Sequence, residues 1–164
     1  MTTTSPFGEG SIVVVGTYQD SLSVGGDELP RANGGALFVA KYSSGGDAVW
    51  SRQLTTEDAI PRLTVDSDGS ILVTVQFGES VTLRGQTLTS AGASDILVIK
   101  LSPTGNVLWT KSFGGASSDL ALDIAATGTD VVLAGFFRDA TSFGGDSLQS
   151  AGGSDGFVAR LDSA

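Results

Sequence analysis

The feature that most limits what this chain can fold into is an internal repeat of 59 to 60 residues. Gly10-Ser11-Ile12-Val13-Val14-Val15 returns as Gly69-Ser70-Ile71-Leu72-Val73-Thr74, and a third time as Thr129-Asp130-Val131-Val132-Leu133-Ala134. The same register carries Phe38-Val39-Ala40-Lys41-Tyr42 onto Leu97-Val98-Ile99-Lys100-Leu101 and then onto Phe157-Val158-Ala159-Arg160-Leu161. Gly46-Asp47-Ala48-Val49-Trp50 mirrors Gly105-Asn106-Val107-Leu108-Trp109, and Ser90-Ala91-Gly92-Ala93-Ser94-Asp95 reappears as Ser150-Ala151-Gly152-Gly153-Ser154-Asp155. Agreement held in one register along the whole unit marks a structural repeat, whose apolar surface is buried by stacking on its neighbours. The expectation is a single repeat domain over residues 1–164, with units at approximately 10–68, 69–128 and 129–164.

Each full unit reads as four short strands. In the middle unit these are Leu63-Thr64-Val65, Ile71 to Phe77, Ile96 to Leu101 and Val107 to Phe113, rich in β-branched residues. Asp66-Ser67-Asp68-Gly69 and Ser102-Pro103-Thr104-Gly105-Asn106 have turn chemistry between them. The Gly-bearing excursion from Gly78 to Ser94 predicts a small hairpin, Val81-Thr82-Leu83 against Thr87-Leu88-Thr89 across Gly85-Gln86. Ser118 to Ala126 is the best helix candidate, but Leu120, Leu122 and Ile124 alternate with a period of two, which reads as strand. The second and third strands carry nearly unbroken apolar runs, as strands covered on both faces do. The predicted fold class is therefore all-β: β-propeller blades of four antiparallel strands, about three blades per chain.

Composition narrows the chemistry. With 40% apolar residues the chain is not generically disordered, and 23 Gly against four Pro suit many tight turns. The net charge of −9 repels phosphate backbones and anionic membrane surfaces, so no nucleic-acid partner is expected. Runs such as Ile96-Leu97-Val98-Ile99 are too short to span a bilayer, so no membrane insertion is expected. The chain has neither Cys nor His, which removes disulfides, thiolate metal sites, cysteine nucleophiles and the Ser-His-Asp relay. Met1-Thr2-Thr3-Thr4-Ser5-Pro6 lacks the basic start and apolar stretch of a secretory signal, and any export signal is expected to belong to a precursor.

The unit resembles the bacterial β-propeller repeats known as SBBP repeats. The residues that carry the resemblance are Gly105-Asn106-Val107-Leu108-Trp109-Thr110-Lys111-Ser112-Phe113-Gly114-Gly115, then Ala121-Leu122-Asp123-Ile124-Ala125. Phe143-Gly144-Gly145 follows, leading into Ser150-Ala151-Gly152-Gly153-Ser154-Asp155-Gly156-Phe157-Val158-Ala159-Arg160-Leu161. The match runs over nearly the whole chain from residue 10 onward. It implies a propeller of about three repeats and an extracellular or cell-surface setting, and little about chemistry, since one fold hosts many tasks.

Three departures stand out. The first unit has Arg31-Ala32-Asn33-Gly34-Gly35-Ala36 in place of the Ser-Ala-Gly-x-Ser-Asp loop, and its innermost strand reads as missing or degenerate. The last unit stops before its Trp-bearing strand. Three blades alone leave two apolar faces in water and cannot close a ring. The expectation is self-association, a homodimer completing one ring of about six blades. Residues 2–7 loosely echo Trp109-Thr110-Lys111-Ser112-Phe113 and are expected to form an outer strand beside Phe157 to Leu161, with Pro6 at an edge.

Candidate sites are few. Asp66 and Asp68 resemble the opening of a calcium loop, where alternate carboxylates share one hard cation, but Ser70-Ile71-Leu72-Val73 breaks that pattern. A hairpin turn is the plainer reading and calcium the alternative; no other cofactor is expected. Asp95 and Asp155 open the third strands in Ser-Asp pairs and are candidate ligand-binding residues, one per blade. Their plainer role is to bond nearby backbone N–H groups and fix a turn. Trp50 and Trp109 could stack on sugar rings if exposed, but their equivalent places within strands favour packing between blades. Tyr18, Phe77 and Phe137 suggest a further packing layer. No spacing of carboxylates predicts glycosidase geometry. The functional expectation is a non-enzymatic interaction scaffold with a protein or glycan partner. A lectin-like propeller is the first alternative, and a carboxylate- or metal-dependent enzyme the second.

Overall fold

A computed structural model describes residues 3–7, 10–26, 28–32, 34–55 and 60–162. Among these residues the regular structure is strand throughout. The strands are β1 (Thr3–Phe7), β2 (Ser11–Tyr18), β3 (Ala36–Tyr42), β4 (Ala48–Thr55), β5 (Arg62–Val65), β6 (Ile71–Phe77) and β7 (Ser80–Leu83). They continue as β8 (Gln86–Thr89), β9 (Asp95–Leu101), β10 (Val107–Phe113), β11 (Leu120–Thr127), β12 (Asp130–Thr141) and β13 (Leu148–Leu161). Three antiparallel sheets result, ordered β1-β2-β3-β4, β5-β6-β9-β10 and β11-β12-β13, with β7-β8 as a separate ribbon. The all-β, antiparallel expectation holds, and the 118–126 segment is strand over Leu120–Thr127.

The repeat is visible in the register. Trp50 pairs with Lys41 and Ala48 with Tyr42, so Val49 bulges out; Trp109 pairs with Lys100 and Val107 with Leu101, so Leu108 bulges out at the same place. The excursions close on equivalent pairs as well: Leu22 with Leu29, Val81 with Leu88, and Thr141 with Leu148. In the second unit the ribbon turns at Arg84-Gly85, both at positive φ (52° and 77°), as a two-residue hairpin requires. The turn thus lies one residue before the expected Gly85-Gln86. In the third unit no separate ribbon forms; β12 and β13 run on through the equivalent pairs, past an irregularity between Arg138 and Ala140.

One expectation is overturned. Thr3–Phe7 does not lie beside Phe157 to Leu161; it pairs with β2, from Thr3 opposite Val15 to Phe7 opposite Ser11. It is the first strand of the first sheet, which is therefore not missing. Only three residues separate Phe7 from Ser11, so the loop-closure cost of this hairpin is small compared with reaching the far end of the chain. Pro6 sits on an edge strand, where no ladder donor is required of it. Thr2 lies outside the described residues.

Packing is layered. Each sheet has a near face, toward the preceding unit, and a far face, toward the following one. Val13, Val15, Leu37 and Val39 on the far face of the first sheet meet Ile71, Val73, Leu97 and Ile99 on the near face of the second. Leu72, Ile96, Val98 and Phe113 on the far face of the second meet Val131, Leu133, Phe137 and Phe157 on the near face of the third. Burial on both faces explains the unbroken apolar runs of β6 and β9. Each excursion leans back toward the preceding unit. Val81 and Leu83 join the first core, Phe143 joins the second, and Leu22, Val24 and Leu29 fold over Tyr18, Phe38 and Ala40 on the near face of the first sheet.

Candidate functional site

The Ser-Asp carboxylates act first on their own loops. Asp95 Oδ2 accepts the Ala91 N–H at 2.8 Å, and Asp155 Oδ2 accepts that of Ala151, in each case four residues back. A third member, which the repeat register alone did not single out, is Asp119, whose Oδ2 accepts the Gly115 N–H at 2.8 Å with the same spacing. Its signal in the sequence is the dipeptide Ser118-Asp119, which repeats Ser94-Asp95 and Ser154-Asp155 outside the main register. The Asp95 and Asp119 loops are joined: Asp119 N–H donates to Ser94 O at 2.8 Å, and Gln76 Nε2 donates to Ser94 Oγ (2.7 Å) and to Asp119 O (3.3 Å). A side chain on Gly114 would place its Cβ 2.3 Å from the Asp95 carboxylate, so glycine is needed there to let the two loops close.

Asp95 and Asp119 are both buried, and Oδ1 of each has no hydrogen-bond partner among the described residues. Burial pushes the Asp119 carboxyl above the usual carboxylate range. The backbone N–H of Gly115 and the backbone at Arg138 pull it down, and the neighbouring charges of Asp95 and Asp139 push it up. Through Oδ2 each of these groups closes its own loop. Asp155, by contrast, is half-buried on β13, and the structure does not join it to the other two.

Asp66 and Asp68 occupy the β5–β6 turn. Asp66 Oδ1 accepts the N–H groups of Asp68 (3.0 Å) and Ser70 (2.8 Å), an Asx-type closure of the turn. Oδ2 makes no well-directed hydrogen bond but lies 2.9 Å from Lys100 Nζ, a buried ion pair. Both oxygens are thus engaged, while Asp68 points to solvent as an exposed residue. Among the described residues no three acidic side chains gather into a site that could hold a metal ion. The third unit closes the same hairpin with a shorter Gly128-Thr129 turn and no carboxylate within it.

Trp50 is half-buried between units: its Nε1 donates to Pro103 O at 3.2 Å, and its ring lies where a Cβ on Gly105 (φ +82°) would press at 3.0 Å. Arg52 stands 6.0 Å from the Trp50 ring and Lys111 stands 5.1 Å from the Trp109 ring, again at equivalent places. Tyr18, Phe77 and Phe137 are all buried.

Among the described residues, the far face of the third sheet has no sheet packed on it. Val158 is 77% exposed and Phe136 47%, beside Val132 and Ala134 on the same face by strand alternation. Their counterparts one unit earlier, Val98, Gln76, Leu72 and Thr74, are covered by the third sheet or bonded to it. No family model matches this chain, and no curated protein matches it.

Proposed function

We propose that the chain is a non-enzymatic binding scaffold built of SBBP-like propeller blades, and that two copies complete one ring. In this reading the far face of the third sheet in one copy meets the near face of the first sheet in the other, and the reverse contact closes the ring. The supporting observation is the exposure of Val158 at a position whose counterpart, Val98, is fully buried by a following sheet. The near face of the first sheet is the opposing surface; its own excursion buries Tyr18, Phe38 and Ala40 there and leaves Ile12 40% exposed. Contiguous apolar surface of this kind marks an association site. Light scattering tests the reading: a mass of two chains supports it, and a strictly monomeric mass at tens of micromolar sinks it.

A lectin-like role is the second reading. It rests on two equivalent shallow clefts, one lined by Val49, Trp50 and Arg52 (≈ 390 Å³) and one by Leu108, Trp109 and Thr110 (≈ 250 Å³). A glycan array without hits removes it.

A further inference from the structure

We infer that the outer edges of β4 and β10 each carry a site for an acidic sugar, the carboxylate-bearing pyranose of a uronic-acid glycan. The inference rests on the lectin-like reading and names its ligand class. Each strand is the last of its sheet, so among the described residues one backbone edge of each is open. Each is interrupted near its start by the bulge at Val49 or Leu108. A bulge spoils the regular ladder that an added peptide strand needs, and it leaves the edge N–H and C=O groups to separate hydroxyls instead. The bulge also leaves Val49 56% and Leu108 52% exposed, each directly before a half-buried tryptophan. An aliphatic and an indole side by side present an apolar shelf to the C–H face of a pyranose ring. Trp50 is anchored for this, with its Nε1 donating to Pro103 O and its ring resting against Gly105, so little side-chain freedom is left to lose on binding.

Charge decides which sugar. Side chains two apart on a strand share a face, so Arg52 stands beside Trp50 and Lys111 beside Trp109, with the cations 6.0 Å and 5.1 Å from the ring centroids. The second cleft adds Arg84 from the turn of its own excursion, where the first has Gly26. Among the described residues no carboxylate lines either cleft, although the chain has 18 acidic side chains against 9 basic ones. Arg52 and Arg84 take part in none of the ion pairs among the described residues. A cation beside an apolar shelf, with no acid in reach, fits a ring that brings its own: the indole takes the C–H face and the cation takes the carboxylate. The net charge of −9 disfavours anions at long range, so recognition depends on this short-range pairing.

The chain's 2 tryptophans are Trp50 and Trp109, so intrinsic fluorescence reads both clefts directly. Hexamers of galacturonate, mannuronate and glucuronate are titrated into the whole chain at physiological ionic strength, each beside its fully methyl-esterified form. A saturable change is expected with at least one free acid, at a Kd of about 1 mM or below, and esterification should weaken it about tenfold or more. The double variant Arg52→Gln with Lys111→Gln should bind the acid no better than the ester while keeping the parent's melting temperature. A second double variant, Val49→Ser with Leu108→Ser at exposed positions, should weaken acid and ester alike. Equal binding of acid and ester, or full binding of the acid by the Arg52→Gln, Lys111→Gln variant, overturns the uronate assignment and leaves the lectin-like reading standing. No response to any of the acids overturns the assignment as well, and the glycan array then judges the lectin-like reading by itself.

Discussion

Val98 and Val158 lie sixty residues apart in the same strand of the same repeat, yet one is sealed at 0% exposure and the other stands 77% exposed. The second sheet is sandwiched, with aliphatic residues on both faces; the third is covered on one face only. The difference is instructive because local sequence is nearly constant between them. What a residue experiences is set by the presence or absence of the next layer, and the pattern on the bare side still anticipates one. Burying a valine fully is worth about 1.5–3 kcal/mol relative to leaving it exposed, so the third sheet holds stabilisation that a partner can release.

Substitutions can break or sharpen this comparison. The largest effect is expected from Val98→Asp, which places an unpaired charge in a closed core and should unfold the chain, a loss above about 4 kcal/mol in urea denaturation. Val158→Asp should shift the single-chain midpoint by no more than about 0.5 kcal/mol while abolishing any assembly seen by light scattering. Equal destabilisation by the two would mean that the third sheet is not bare in solution.

Next comes Lys100→Met. It strands the buried Asp66 carboxylate and should cost about 3 kcal/mol. The equivalent Arg160→Met removes a surface pairing with Asp130 and should leave the melting temperature unchanged within error. Ile99→Ala converts a core position of the second sheet to the residue its counterpart already has, Ala159, and should cost about 2–4 kcal/mol by denaturant unfolding. A smaller loss would show that the near face of the second sheet can collapse as the third tolerates.

The smallest effect is a pH dependence. The Asp119 carboxyl is raised in the folded chain, mainly by burial, so folding holds its proton more tightly than the unfolded state does. Its contribution is fully present below the ordinary aspartate range, near pH 4, and is lost as pH rises through the raised value. Asp119→Asn should remove that component, giving a flatter stability profile above pH 4 in parallel urea titrations; an unchanged profile would show that the loop is open to water.

Much of this was legible in the sequence because apolar alternation and turn chemistry repeat. The strands around Ile71, Ile96 and Val107 fell where Ile-Val-rich runs end in Asp, Gly or Pro clusters, and the β7-β8 ribbon was legible as a hairpin, although its turn and therefore its register differ from the expected ones. β1 was not legible in its place: Thr3-Thr4-Ser5-Pro6-Phe7 has no apolar run, and its position depends on the short connection to β2 rather than on its own residues. The continuation of β12 and β13 through the excursion was hidden for a similar reason, since Gly152 and Gly153 look like a break but sit at positive φ inside a strand. For the sites, Asp66 as a turn closure could be anticipated, whereas its ion pair with Lys100 depends on register across two strands. The burial of Asp119 depends on another unit's loop, which no window around Ser118 contains.

The backward lean of every excursion gives the molecule a direction. One end is partly tiled by its own loop and the other is left raw, so two like ends have no reason to meet. On the proposed reading of self-association, copies add front to back, all oriented alike. Whether the product is a finite circle or an unending fibre then rests on a few degrees of rotation per layer, an angle that small changes in loop packing can tip.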